Sequence, residues 1–173
     1  MKRTRKTVSL LVWNVMVYAV LLGVLCGARI VKAVQFDMNC TQYLKRAADA
    51  NTVATAKEEL GKAIAYAEQE HFTEGVVSIF LHQPSNDIGY WYKNMTEAYE
   101  ELDSLPEDAS SLETTNVLMK LRETLTDQKD SGVKVTVPNG ISIYPYNRRY
   151  FVGGLTLLIF CIVCWLIDLK LRD

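Results

Sequence analysis

Two long apolar runs, one near each end of the chain, constrain its fold more than any other feature. The first covers residues 8–28 and the second residues 150–167, and neither contains an acidic or basic residue. A helix of 21 residues extends about 31 Å, enough to cross the hydrocarbon core of a bilayer, and 18 residues lie just within the range for a span. Helices are the spanning form because each run can then satisfy its own backbone hydrogen bonds. The sequence therefore predicts two transmembrane helices.

The first run also has features of a cleaved signal peptide. A basic segment precedes it, and the small residues Gly27 and Ala28 follow Cys26 at its end. The apolar core of a signal peptide is usually about 7–15 residues long, however, and this run is longer. We therefore favour an uncleaved membrane anchor.

The charges are distributed as unevenly as the apolar residues. Residues 36–147 hold 18 acidic and nine basic residues, a formal charge of −9, whereas the two flanks together hold ten basic and two acidic residues, a charge of +8. The net charge of −1 is therefore an average over unlike segments. We expect a basic tail at 1–7, a first span at 8–28, a helical domain at 29–149, a second span at 150–167 and a short tail at 168–173.

The distribution of basic residues also predicts how the chain crosses the bilayer. The basic tail directly precedes the first span, so the positive-inside rule places that end in the cytoplasm, and the second span returns the C-terminus to the same side. A central segment of this length is translocated largely regardless of its charge. We therefore expect an integral membrane protein with both termini cytoplasmic and the central domain extracytoplasmic. The bacterial plasma membrane is favoured, and an organelle membrane is the alternative.

Aromatic and basic residues mark the ends of the predicted spans. Trp13 and Trp165 would lie at the cytoplasmic interface, where aromatic side chains are enriched. Basic residues flank the outer ends of both spans, where they suit the anionic headgroups of lipids. We expect headgroup contacts from Arg29, Lys32, Arg148 and Arg149.

Small residues recur along the first span at four-residue spacing and occur together at the start of the second. Such residues allow two helices to approach closely in a membrane. The prediction is helix–helix packing through Ala19, Gly23, Gly27, Gly153 and Gly154. The pattern leaves open whether this packing joins the spans of one chain or those of two chains.

The central segment is typical of a small helical domain of three to four helices. Apolar and alanine residues recur at helical spacing, for example at Val53, Ala56, Leu60, Ala63 and Ala67. The expected starts are a capping box at Thr55 and Glu58, an N-cap among residues 85–87, and a capping box at Ser110 and Glu113. The expected stops are Gly75, Pro106 and Gly132.

A membrane-proximal β-hairpin is predicted at 133–146. β-Branched residues alternate on both sides of Pro138, Asn139 and Gly140, which form a typical turn sequence. The predicted fold class is therefore mainly α, with two transmembrane helices flanking a three- to four-helix domain that ends in this hairpin.

The residues that usually carry catalysis or bind metals are sparse. His71 and Glu74 have the spacing found in metal-binding helix bundles, but no second such pair occurs, and a solvated helix end is the simpler interpretation. Cys161 and Cys164 lie inside a predicted span, where we interpret them as apolar rather than redox residues. Cys40 could pair only with Cys26 or with another chain. We expect no catalytic residues, no metal site and no cofactor.

One dense aromatic cluster is the strongest candidate for a binding surface. It consists of Tyr90, Trp91, Tyr92 and Tyr99. Core packing is the commoner role for aromatic residues at helical spacing, but the first three cannot all point inward. We therefore predict that part of the cluster forms a partner or ligand surface.

The favoured functional hypothesis is a non-enzymatic two-pass membrane protein, acting as an accessory or assembly subunit. Its expected partners are the lipid bilayer and another membrane protein or a second copy, whereas the acidic domain makes nucleic acid an unfavourable ligand. The alternative is a ligand-sensing module that signals through a partner. Its layout is similar to the input half of bacterial chemoreceptors and sensor kinases, although only residues 168–173 follow the second span. An enzyme would need a pocket that unites His71 or His82 with carboxylates.

Overall fold

The computed structural model describes residues 2–80, 82–106, 108–129 and 132–172. The chain divides into two compact units, one formed by Met1–Lys32 with Tyr146–Asp173 and the other by Ala33–Pro145. The fold is mainly helical, as the sequence predicts. Its elements are α1 (Lys2–Phe36), a π-helical segment (Asp37–Thr41), α2 (Gln42–Ala48), α3 (Val53–Gln69), α4 (Ile88–Asp103), α5 (Ser111–Leu125), β1 (Thr126–Lys129), β2 (Gly132–Val135) and α6 (Asn147–Arg172), with 3-10 turns at Pro84–Asn86 and Ile141–Ile143.

The two predicted apolar runs lie within α1 and α6. Each of these helices is long and apolar enough to cross a membrane. The most apolar stretch of each is not buried against the rest of the chain. The first unit therefore presents its apolar side chains outward instead of enclosing them in a core.

The second unit is built around a ring of four helices. α2 packs on α3 and α5, and α4 closes the ring by packing on the same two helices. Apolar side chains from all four helices meet inside. The largest fully buried side chains are Leu44, Leu60, Ile88, Met95, Ile141 and Cys40.

The inner face of α3 shows how the sequence pattern determines this packing. Ala56, Leu60, Ala63 and Ala67 recur every three or four residues and are completely buried. Because three of the four are alanines, neighbouring helices can approach this face closely. The predicted apolar faces of α4 and α5 are likewise directed inward through Ile88, Trp91, Met95 and Leu102 of α4 and Leu121 and Leu125 of α5.

The helix starts agree with the prediction at two of three places. Asp87 accepts a hydrogen bond from the backbone N–H of Tyr90, and Ser110 forms the expected capping box with Glu113. The predicted capping box at Thr55 and Glu58 is wrong. Thr52 caps α3 instead, because its extended backbone lets its hydroxyl accept the Thr55 N–H at 3.2 Å.

The predicted hairpin at 133–146 is also misplaced. The observed antiparallel hairpin pairs β1 with β2, with Thr126 opposite Val135 and Lys129 opposite Gly132. Helix α5 therefore ends at Leu125, seven residues before the predicted stop at Gly132. Residues 141–143 form a 3-10 turn after Pro138, and Ile141 and Ile143 are buried. Their two-residue spacing resembled a strand, but core burial, which pairing with a polar strand would not provide, decides their conformation.

A buried carboxylate is the polar exception in the core of this unit. The Glu59 side chain is 3% exposed, and its Oε1 atom accepts from Arg46 at 2.9 Å and from Lys62 at 3.1 Å. Its Oε2 atom has no hydrogen-bond partner among the described residues. The two bases are 64% and 41% exposed, so only the acid has lost its hydration. The pair of bases is therefore what makes a charge at this position tolerable.

The end of α3 depends on a glycine, although not as the helix stop that the sequence predicts. Helix α3 ends at Gln69, and His71 already has a left-handed backbone with φ of 60°. Gly75 follows with φ of 103°, and a Cβ atom placed there would overlap the hydroxyl of Tyr144 and lie 2.9 Å from its Cζ atom. Gly75 is therefore required both by its backbone conformation and by the tyrosine ring packed on it.

We expect Gly75→Ala to lower the free energy of unfolding by at least about 2 kcal/mol, because it adds overlap with Tyr144 to the backbone strain. Gly132→Ala is the matched control, since Gly132 has φ of 112° but has no described atom within 4 Å of the added Cβ. It should cost only the strain, about 1 kcal/mol. Chemical denaturation of the full chain measures both values. Equal losses would show that Tyr144 does not pack as described.

Candidate functional site

The aromatic cluster predicted from the sequence is divided among different faces of α4. Trp91 is 7% exposed and belongs to the core, whereas Tyr90 is 63% exposed. Tyr92 and Tyr99 lie against residues of α3. The prediction that some of these residues pack inward is confirmed for Trp91, and Tyr90 is the member left on the surface.

Trp91 ties α4 to the segment that follows the hairpin. Its indole N–H donates to the backbone carbonyl of Thr136 at 3.0 Å. Its ring lies 6.4 Å from that of Phe36, which also contacts Tyr66 and Phe72. The indole therefore fills the core and positions the backbone around residue 136.

Tyr92 and Tyr99 stabilise the contact between α3 and α4. The Tyr92 hydroxyl donates to Glu68 at 2.6 Å, and this bond to a carboxylate raises the pKa of Tyr92 to about 12. The ring of Tyr99 lies 5.6 Å from the Lys57 ammonium group and packs over Gly61. Both residues have structural partners within the chain, which makes them weaker candidates for a binding surface than Tyr90.

Beside Tyr90, the structure contains a groove of about 300 Å³. It lies between the start of α4, the end of α5 and the segment from β2 to Asn139. Its lining residues are Pro84, Ser85, Asp87, Tyr90, Trp91, Asn94, Met95, Thr124, Leu125, Asp127, Lys134, Val135, Thr136, Val137, Pro138 and Asn139. The groove is therefore formed by three chain segments that are far apart in the sequence.

The groove has an apolar floor and a polar rim. The buried side chains that line it are Trp91, Met95, Leu125 and Val135. Carboxylate, amide and ammonium groups surround them, and Asp127 lies directly opposite Lys134 in the hairpin. An apolar base with a few polar groups at its edge is typical of sites that bind a peptide segment or a small molecule.

The sequence analysis found one side of this groove and missed the other. Tyr90 and Trp91 were recognised by their aromatic character, but residues 134–139 were assigned to a hairpin strand and its turn. The placement of this segment depends on the Trp91–Thr136 hydrogen bond, which joins residues 45 positions apart. No local pattern carries that information.

The residues considered for catalysis do not form a metal cluster. Among the residues that the structure describes, no group of three or more His, Cys, Asp or Glu side chains could hold a metal ion. His71 and His82 are both exposed. Cys40 is completely buried, which keeps its thiol away from any second chain in the folded state.

In the first unit, α1 and α6 make contact at two positions. The rings of Tyr18 and Phe160 lie 4.5 Å apart, and Leu25 Cδ1 would be 3.9 Å from a Cβ atom on Gly153. A Cβ atom on Gly23, Gly27 or Gly154 would meet none of the described atoms within 4 Å. Ala19 is exposed as well. The face of α1 with Ala19, Gly23 and Gly27 is thus open within one chain, and its packing against a second chain stays a prediction.

The basic residues beyond these contacts are all exposed. They are Arg29 and Lys32 on α1 and Arg148 and Arg149 on α6. The guanidinium group of Arg149 lies over the ring of Tyr146 at 5.2 Å. These side chains are therefore accessible to headgroups or other anions.

Two substitutions separate the structural and surface roles of the cluster. Trp91→Ala should lower the free energy of unfolding by about 3–5 kcal/mol, since it empties a core position and leaves the Thr136 carbonyl without its donor. Tyr90→Ala should change it by less than about 0.5 kcal/mol, because the ring is exposed. Chemical denaturation of each variant tests this, and a large loss in the Tyr90 variant would mean that the residue is part of the core.

Comparison of the chain with protein-family models, with curated proteins and with solved structures gives no match. The function is therefore inferred from the geometry and chemistry of the chain itself.

Proposed function

We propose that this chain is a non-enzymatic integral membrane protein with two spans, and that its acidic helical domain binds another protein as an accessory or assembly subunit. The observation that carries the proposal is the outward-facing apolar surface of α1 and α6. In water that surface would be costly, at roughly 25 cal/mol for each Å² of exposed apolar area. A bilayer removes the cost and leaves the domain, residues 29–149, outside the membrane.

The groove beside Tyr90 is the proposed binding site for the partner. Tyrosine and tryptophan contribute most strongly to protein interfaces when they lie on or under an apolar centre with a polar rim, and the groove has both features. The domain carries 18 acidic and nine basic residues, which favours a partner segment with basic character. The proposed partner is a second membrane protein with a basic segment close to the bilayer.

A ligand-sensing function is the second candidate. A volume of about 300 Å³ is at the lower end of the range for small-molecule sites. In that case, a small molecule in the groove would be signalled through the spans to a partner. A ligand that raises the melting temperature of the chain, and fails to do so in a Tyr90→Ala variant, would favour this alternative.

Cysteine accessibility tests the proposed topology. In a chain whose native cysteines are replaced by alanine, Met119→Cys on α5 should react with a membrane-impermeant maleimide applied to intact spheroplasts. Lys170→Cys should react only after the membrane is opened. Both positions are exposed in the structure, so a difference in labelling reports sidedness. The reverse pattern would contradict the orientation, and labelling of a chain that remains soluble without detergent would contradict the spans.

Co-purification tests the binding site. The chain extracted in a mild detergent should retain its partner, and Tyr90→Ala with Asn94→Ala should lower the retained amount at least tenfold without unfolding the domain. Leu112→Ala is the control, because Leu112 is an exposed apolar residue on α5 that does not line the groove. Equal retention by all three proteins would show that the groove is not the interface.

A further inference from the structure

The two contacts between α1 and α6 define the register in which these helices pair. Tyr18 and Leu25 are seven residues apart on α1, and their contact residues Phe160 and Gly153 are seven residues apart on α6, in the reverse order. Seven residues are close to two helical turns, so each pair of residues lies on one face of its helix. The helices are therefore antiparallel and remain in step from one contact to the other.

The same register brings basic residues of the two helices to one level. Arg29 lies four residues beyond Leu25, and Arg149 lies four residues before Gly153. Four residues correspond to about one turn, or about 6 Å along the helix, and return to the same face. Arg29 and Arg149 are thus level with each other, one turn beyond the Leu25–Gly153 contact. Lys32 and Arg148 lie within one further turn, and we call the four residues the basic collar.

The sequence around the collar provides no acidic residues to balance this charge. Neither residues 8–36 nor residues 131–167 contain aspartate or glutamate. Bringing four positive charges to the same level of a two-helix unit is unfavourable unless anions lie close to them. The collar residues are exposed, so such anions can come from the surroundings.

The register also predicts the depth of the collar in a bilayer. Trp13 lies 12 residues before Leu25, and Trp165 lies 12 residues after Gly153, so the two tryptophans are level as well. Sixteen residues separate Trp13 from Arg29, which corresponds to about 24 Å along the helix. With tryptophans at one interface, this distance places the arginines near the headgroups of the other leaflet, since the hydrocarbon core is about 30 Å thick.

We propose that the basic collar is a binding site for an anionic phospholipid and that it prefers a headgroup with two phosphates to a headgroup with one. The proposal rests on the two-span topology proposed above. Guanidinium groups form paired hydrogen bonds with phosphate oxygens, and basic sites between membrane helices suit headgroups of multiple charge. One phosphate can lie near Arg29 and Lys32 while the second lies near Arg148 and Arg149, which offsets the repulsion between the two helices.

The test measures lipid binding to the full chain in a mild detergent. The probes are phosphatidylcholine, phosphatidylglycerol and diphosphatidylglycerol, with pyrophosphate as a soluble source of the same charge. Native mass spectrometry counts the lipid molecules retained, and a titration of the melting temperature gives the relative affinities. We expect diphosphatidylglycerol to bind at least about tenfold more tightly than phosphatidylglycerol, and phosphatidylcholine and pyrophosphate to have little effect.

The decisive variant combines Arg29→Gln with Arg149→Gln. It should weaken the binding of diphosphatidylglycerol by roughly 30-fold, from a factor of about five for each basic side chain. Lys2→Gln with Arg5→Gln is the matched control, because it removes the same charge from the opposite end of α1 and should change the affinity less than about twofold. Arg29→Lys with Arg149→Lys keeps the charge and should retain most of the binding, which separates loss of charge from loss of fold.

Each remaining outcome has a defined meaning. Equal weakening by the collar variant and the N-terminal control would overturn the site, because attraction would then depend only on total charge. Equal affinity for the lipids with one and two phosphates would overturn the preference, and binding of pyrophosphate as tight as that of the lipid would overturn the lipid as the ligand. A chain that is soluble without detergent would instead refute the two-span topology.

Discussion

The requirement that every backbone polar group and every apolar side chain be accommodated is the constraint on which this structure depends. In α1 and α6 the backbone groups bond within each helix, but the side chains remain outward, so the surroundings must be apolar. In the second unit the apolar side chains are enclosed by four helices. One chain thus solves the same problem in two ways, and the charge distribution follows the division, with acidic residues on the enclosed unit and basic residues at the ends of the apolar helices.

Two buried polar groups determine how the helical unit is assembled. The Glu59 carboxylate is held by bases from α2 and α3, and the Trp91 indole is held by a backbone carbonyl beyond the hairpin. A buried polar group without its partner is costly, so such contacts select one packing arrangement over others of similar apolar content. The groove beside Tyr90 exists because Trp91 fixes one of its walls, which links the stability of the core to the proposed binding surface.

The accuracy of the sequence-based predictions depended on the range of the interactions involved. The apolar runs, the buried face of α3 and the caps at Asp87 and Ser110 were predictable because each is determined by residues within about one or two turns. The hairpin was misplaced because residues 133–146 contain a strand-like alternation, whereas β1 is formed by the polar segment Thr126–Lys129. Burial of Ile141 and Ile143, a tertiary effect, outweighed local preference there. The groove was half predicted for the same reason, since α4 was recognisable and its opposite wall was not.

By itself, the sequence determined that this protein has two apolar helices, a mainly helical acidic segment between them, and basic residues at the ends of the apolar runs. These features follow from hydropathy, charge and helical periodicity, which are local properties of the chain. The tertiary structure alone decided which aromatic residue is buried and which is exposed, where the hairpin forms, and that Arg29 and Arg149 lie at one level. Those features depend on contacts between distant residues, whose relative positions are decided by the packing of whole helices and not by the preferences of neighbouring residues.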